Sequence, residues 1–174
     1  MCDYCDCRSL QPIQDLSDEH ERIAAHAHDL TVALDAGDAS AAGVALTAIQ
    51  ESLAPHLARE EAGLFARLAA HPGLADYLAE LAADHERARA GLLGATGPGD
   101  AAALRAGLAE LAAHIETEEY DLFPASRLLL DDEEWQAIDA LHVATGMRGE
   151  AGTATAVATP AVPAGGATAG HGAI

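Results

Sequence analysis

The sequence predicts an all-α protein: an up-down-up-down four-helix bundle with a short extra C-terminal helix and a disordered tail. Three observations predict it. Half of the 174 residues are hydrophobic, mostly alanine and leucine, with 3% aromatic residues and almost no β-branched runs, which favours packed helices over sheet. Four segments carry apolar residues at alternating three- and four-residue spacing, the seam of a helix packed in a bundle. Short breaks rich in Gly and Pro separate them, so successive helices should be antiparallel neighbours.

The first seam is Ile13, Leu16, His20, Ile23, Ala27, Leu30 and Leu34, and it ends at the Gly37-Asp38 break. The second, Leu46, Ile49, Leu53, His56, Glu60 and Leu64, runs to His71-Pro72-Gly73. The third is Leu74, Leu78, Leu81, His85, Ala88 and Leu92, closed by the stretch from Gly94 to Gly99. The fourth is Leu104, Leu108, Leu111, His114, Glu118 and Leu122. A short fifth helix is expected from Asp132 to about Val143, with Trp135 packing back onto the bundle. The division that follows is a Cys-rich arm over residues 1–11, a bundle over 12–146 and an Ala/Gly/Thr/Pro tail over 147–174. The tail lacks apolar periodicity and cannot bury enough surface to offset the entropy of ordering it.

Charge narrows the function classes. Nine basic residues, all arginine, face 28 carboxylates, for a formal charge of −19. Such a chain repels nucleic acid and anionic membrane surfaces, and no apolar run of about 18 residues could span a bilayer. The first ten residues have neither a basic nor an apolar stretch of the secretory kind, so a cytoplasmic protein is expected.

Every one of the four seams contains a histidine, and two also contain a glutamate. The chain repeats itself around them. Asp18-Glu19-His20-Glu21-Arg22 returns as Ala83-Asp84-His85-Glu86-Arg87, and His56 with Glu60-Glu61 and Leu64-Phe65 returns as His114 with Glu118-Glu119 and Leu122-Phe123. Each helical hairpin therefore brings one His on its first helix and a His-x-x-x-Glu on its second. A pseudo-twofold pairing of the hairpins gathers four imidazoles and two carboxylates in the core.

Residues i and i+4 lie about 40° apart around a helix and one turn along it, so His56 and Glu60 face one point, as do His114 and Glu118. A lone core histidine is ordinarily a satisfied polar group. Six ionisable groups on four seams are a different matter, because each unpaired buried polar group costs roughly 2–7 kcal/mol before charge is counted. Carboxylates that bridge two metals, each with nitrogen ligands, resolve that cost. Mixed nitrogen and oxygen donors suit iron best, with manganese or zinc as other choices.

His20, His56-x-x-x-Glu60-Glu61, His85 and His114-x-x-x-Glu118-Glu119, with Leu-Phe after each acidic pair, resemble the signature of the hemerythrin-like (HHE cation-binding) family over roughly residues 10 to 130. The resemblance implies a non-haem diiron site that meets O2, peroxide or nitric oxide. It implies His20, His56, His85 and His114 as terminal ligands and Glu60 and Glu118 as bridges. Two departures stand out. Oxygen-carrying hemerythrins place a second histidine four residues after the first on the third helix, where this chain has Arg89. They also place the last acidic ligand five residues after the histidine, which selects Glu119; helix geometry favours Glu118, since i+5 lies about 140° away. Glu61 carries the same ambiguity. Glu21 and Glu86 are spare carboxylates, expected to orient ligands or face solvent.

Of the remaining candidates, His26 and His28 are expected on the surface rather than in a channel, His71 in a turn, and His142 and His171 away from the site. Tyr77 and Tyr120 are expected to pack rather than to ligate. Cys2, Cys5 and Cys7 suit a soft metal, oxidant sensing or a transient disulfide. Two function classes follow. One is a diiron scavenger or enzyme with catalase-like peroxide decomposition in oxidant or nitric oxide defence. The other is a module without turnover that senses O2 or iron and reports to a protein partner, or that stores and donates iron.

Overall fold

The computed structural model describes residues 9–146; the arm with Cys2, Cys5 and Cys7 and the tail with His171 lie outside the described residues. Four long helices and one short one make up the described chain. α1 is Gln11–Ala36. α2 is Ala39–Glu60, continued by a π turn over Glu61–Phe65 and a last α turn, Ala66–Leu68. α3 is Ala75–Ala88 with a π turn over Arg89–Leu93. α4 is Ala101–Thr117, a π turn over Glu118–Leu122, and Phe123–Leu129. α5 is Asp132–Ala144.

The breaks work as their residues dictate. Gly37 takes the left-handed conformation (φ 66°) that ends α1, and the next residue, Asp38, caps α2 by accepting from the backbone N–H groups of Ser40 and Ala41. Gly73, at φ 88°, turns the second connection. Asp131 and Glu134 form a reciprocal capping box that starts α5.

Cross-links fix the directions. Gln50 on α2 donates to Leu92 O and Ala95 O at the end of α3 (3.0 and 2.9 Å), while Glu61, three turns further along α2, meets His85. α2 and α3 are therefore antiparallel. Glu19–Arg59 with His20–His56, His85–His114 with Arg87–Glu110, and His20–Glu119 with Asp35–Arg105 run in opposite senses along each pair, so the other neighbours are antiparallel too, as an up-down-up-down bundle requires. No helix among the described residues is long and apolar enough to cross a membrane.

Two apolar layers fill the bundle. One, with Ile23, Leu30, Ile49, Leu53, Leu104 and Leu108, occupies the end that holds the Gly37 turn. The other, with Ile13, Leu64, Leu68, Leu81, Phe123 and Ile138, occupies the opposite end, where α5 closes the bundle with Trp135 buried. On every long helix the seam histidine falls between the two layers. The cluster is a polar slab between dry ones.

Candidate metal centre

The π turns decide what surrounds the slab. In a straight α-helix a residue five positions on lies about 140° away and would face outward. The i→i+5 bonding of a π turn brings it back to the same face. Leu64 and Phe65 are accordingly both buried after Glu60, and Leu122 and Phe123 after Glu118. Phe123 stacks on the ring of His20 (5.6 Å, 5°) and Phe65 on that of His85 (5.1 Å, 18°). The repeated Leu-Phe pair thus fixes the planes of two imidazoles, one per hairpin.

Two clusters result: His20, His56, Glu60 and Glu118, and Glu60, His85, His114 and Glu118, with one atom from each member lying within 4.8 Å of the others. Both contain Glu60 and Glu118. The Nε2 atoms of His20 and His56 are 3.1 Å apart, as are those of His85 and His114. Glu118 Oε2 is 3.2 Å from His114 Nε2 and 3.3 Å from His20 Nε2, and Glu60 Oε2 is 3.3 Å from His56 Nε2 and 3.5 Å from His85 Nε2. Yet none of the four carboxylate oxygens has a hydrogen-bond partner among the described residues, and both side chains are fully buried.

Behind the imidazoles stands a ring of carboxylates, each reaching from one helix to a histidine on the next. Glu19 of α1 faces His56 Nδ1 (3.1 Å), Glu61 of α2 faces His85 Nδ1 (2.8 Å), Asp84 of α3 faces His114 Nδ1 (3.5 Å) and Glu119 of α4 faces His20 Nδ1 (3.0 Å). A carboxylate there accepts Nδ1–H and leaves the Nε2 lone pair pointing inward. Imidazoles held in that tautomer turn Nε2 donors toward the two buried carboxylates, a donor set that fits cations. Two nitrogens about 2.1 Å from one ion and a right angle apart stand about 3 Å from each other, close to both observed separations.

Without a cation, the same carboxylates favour a proton on His20 and His85, which a metal would displace. Burial opposes charge on His20, but Glu118, Glu119 and Glu60 outweigh it and raise its pKa to about 10. His85 is raised in the same way, by Glu60, Glu61 and Glu118 against burial. Burial pushes Glu118 up, but the imidazoles of His114 and His20 hold it well below the usual carboxylate range. Glu19 is lowered against burial by His56 and the buried Arg59, and Glu61 by His85 and Arg89.

Each residue singled out in the sequence has a definite place. Glu60 and Glu118 lie in the clusters, and Glu61 and Glu119 lie behind them. Arg89 donates to both oxygens of Glu61 and to Glu86 and adds nothing to the centre. Glu21 and Glu86 are exposed. The carboxylates with which the first and third helices back a histidine are instead Glu19 and Asp84, which immediately precede His20 and His85 but face His56 and His114 on the next helix. Sequence reasoning passed over these, although the acid-His pair recurs in both halves and was the available signal. His26 is half-buried in an outer groove between α1 and α2, and His28 is exposed. His71 pairs with Glu134 (3.5 Å). His142 is fully buried against Asp15 (3.3 Å), tying α5 to α1 far from the clusters in sequence. Tyr77 packs on the apolar layer under α5, and burial together with Asp121 and Glu118 pushes its phenol up to about 12. Tyr120 is exposed at the mouth of a groove of about 370 Å³ between α1 and α4, with His20 and Glu119 along it.

A helical bundle with two adjoining, buried His/Glu clusters is a cation-binding bundle with a dinuclear arrangement. The model of the hemerythrin HHE cation binding domain matches residues 11–126, two-thirds of the chain, and the chain belongs to that family. No curated protein and no solved structure matches it.

Proposed function

We propose that the two clusters hold a pair of non-haem irons and that the loaded protein decomposes peroxide, as part of cytoplasmic defence against oxidants or nitric oxide. One observation carries this reading: two histidine pairs share two buried carboxylates whose four oxygens have no other partner among the described residues. Two imidazoles with carboxylate oxygens and room for further ligands are a donor set that suits iron. When bound, the metals supply open coordination positions and a reversible change of oxidation state.

The chain's residues do the remaining work. His20 and His56 would hold one ion, His85 and His114 the other, with Glu60 and Glu118 bridging. Phe65 and Phe123 fix ring planes. The apolar layers on either side exclude water. O2, peroxide or nitric oxide would approach along the α1/α4 groove, which His20 and Glu119 line. Arg89, bound to Glu61 and Glu86, leaves the second position with two imidazoles, and the open coordination favours reaction over reversible carriage of oxygen.

Anaerobic loading with Fe(II), iron counting, and then peroxide with an oxygen electrode test the proposal. Two irons per chain, visible charge-transfer bands and oxygen release are expected, with release abolished in His85→Ala. One iron or none, or a preference for zinc, would overturn the diiron reading. Two irons without oxygen release would make the protein a sensor or iron store instead.

A further inference from the structure

The four imidazoles are alike toward the centre and unlike behind it. On the α1/α2 side, Glu119 and Glu19 sit at hydrogen-bond distance from His20 and His56, and their side chains are 13% and 8% exposed. On the α3/α4 side, the Glu61 that backs His85 is 36% exposed and shares both oxygens with Arg89. His114 fares worst. Its Nδ1 is buried without a hydrogen-bond partner, because Asp84 Oδ2 stops 3.5 Å away; both Asp84 and its counterpart Glu19 are also bound by an arginine, so the reach alone separates them.

The internal repeat identifies the cause. Glu19 precedes His20 as Asp84 precedes His85, so the two acids occupy equivalent positions and differ by one methylene. The longer side chain reaches the imidazole on the next helix and the shorter one does not. A carboxylate on Nδ1 fixes the ring's tautomer and orientation and strengthens Nε2 as a donor, and losing it typically costs about 10–100-fold in metal affinity.

We propose that the two metal positions are inequivalent: the ion at His20 and His56 binds first and more tightly than the ion at His85 and His114, and the Glu19/Asp84 difference sets the gap. The inference rests on the dimetal reading above. It makes Glu19 and Asp84 positioning residues that act through His56 and His114. At limiting metal the chain holds one ion on the α1/α2 side, and the other position is open to a second ion of a different kind.

The test is a calorimetric titration of the metal-free full chain with Fe(II) under anaerobic conditions, together with anomalous diffraction from crystals given one equivalent. Two steps separated by about 10–100-fold are expected, with the first equivalent at His20 and His56. Asp84→Glu should strengthen the second step and leave the first unchanged. Glu19→Asp should weaken the first and leave the second unchanged. Asp84 is only partly buried, so the longer side chain needs no repacking. A purely structural effect would move both steps together with the melting temperature of the metal-free chain. Indistinguishable steps with evenly split occupancy, a first ion at His85 and His114, or an Asp84→Glu variant with an unchanged gap would each overturn the inference while leaving the dimetal reading intact. A chain that takes up no metal would overturn that reading, and the inference with it.

Discussion

Withdrawing metal probes the centre through stability alone. An ion that binds only the folded chain adds about 1.4 kcal/mol for each tenfold of free metal above its dissociation constant, so two ions add about 2.7 kcal/mol. The described chain spans residues 9–146. At roughly 2.1 cal/mol/K per residue, its unfolding entropy near 60 °C is about 0.3 kcal/mol/K. The melting temperature should then climb by about 9 °C per tenfold of free metal with two ions and by about 5 °C with one. Circular dichroism at 222 nm in a series of metal buffers reads that slope directly. Glu60→Ala takes a ligand from both clusters and should flatten it, whereas His114→Ala takes one from a single cluster and should halve it. A melting temperature that ignores metal over several decades would refute the reasoning, because six buried ionisable groups would then be balanced without a cation.

Phe123→Ala removes a fully buried ring stacked on His20 and should cost about 3–5 kcal/mol in urea denaturation; a loss below 1 kcal/mol would mean that the ring is not a structural support. His142→Ala removes the cross-helix pairing with Asp15, which keeps the Gln11 amide as a donor, and should cost about 0.5–1.5 kcal/mol. Emission from Trp135, the single tryptophan, should report α5 loosening in that variant, and an unchanged transition would show that the pair is not a latch. Because the pKa of His20 is raised from 6.5 to about 10, the metal-free chain holds a proton there at neutral pH. That charge stabilises the metal-free fold in full below pH 6.5 and is lost as pH rises through about 10. Metal must displace the proton, so loading at pH 7 should release it and apparent affinity should rise with pH. Calorimetry in two buffers of different ionisation enthalpy measures the release, and identical heats would contradict it.

Much of this was written in the seams. His20, His56, Glu60, His85, His114 and Glu118 fall on the same three- and four-residue rhythm as the leucines around them, so burying the leucines buries the ligands. The breaks at Gly37-Asp38, His71-Pro72-Gly73 and Gly94 to Gly99 were equally legible, since the backbone there needs Gly or Pro. The π turns were not, because widening a helix by one residue per turn leaves no mark in composition and reveals itself only as two adjacent buried side chains, Leu64-Phe65 and Leu122-Phe123. The partners of the imidazoles were hidden for a related reason. Which carboxylate reaches Nδ1 depends on the angle between neighbouring helices, and a single helix seen alone cannot distinguish Glu19 from Glu21. His142 was hidden too, because its partner Asp15 lies at the far end of the sequence.

Each hairpin supplies both imidazoles of one cluster and lends a single carboxylate to the other. That is the contact pattern of an isologous homodimer, in which the same surface meets itself across a twofold axis, with the two copies here joined in one chain. In a true dimer every substitution appears twice and alters both halves at once. Joining the copies lifts that constraint: Asp84 can differ from Glu19, and Arg89 from its counterpart Ala24, so one half of the centre can drift while the other is kept.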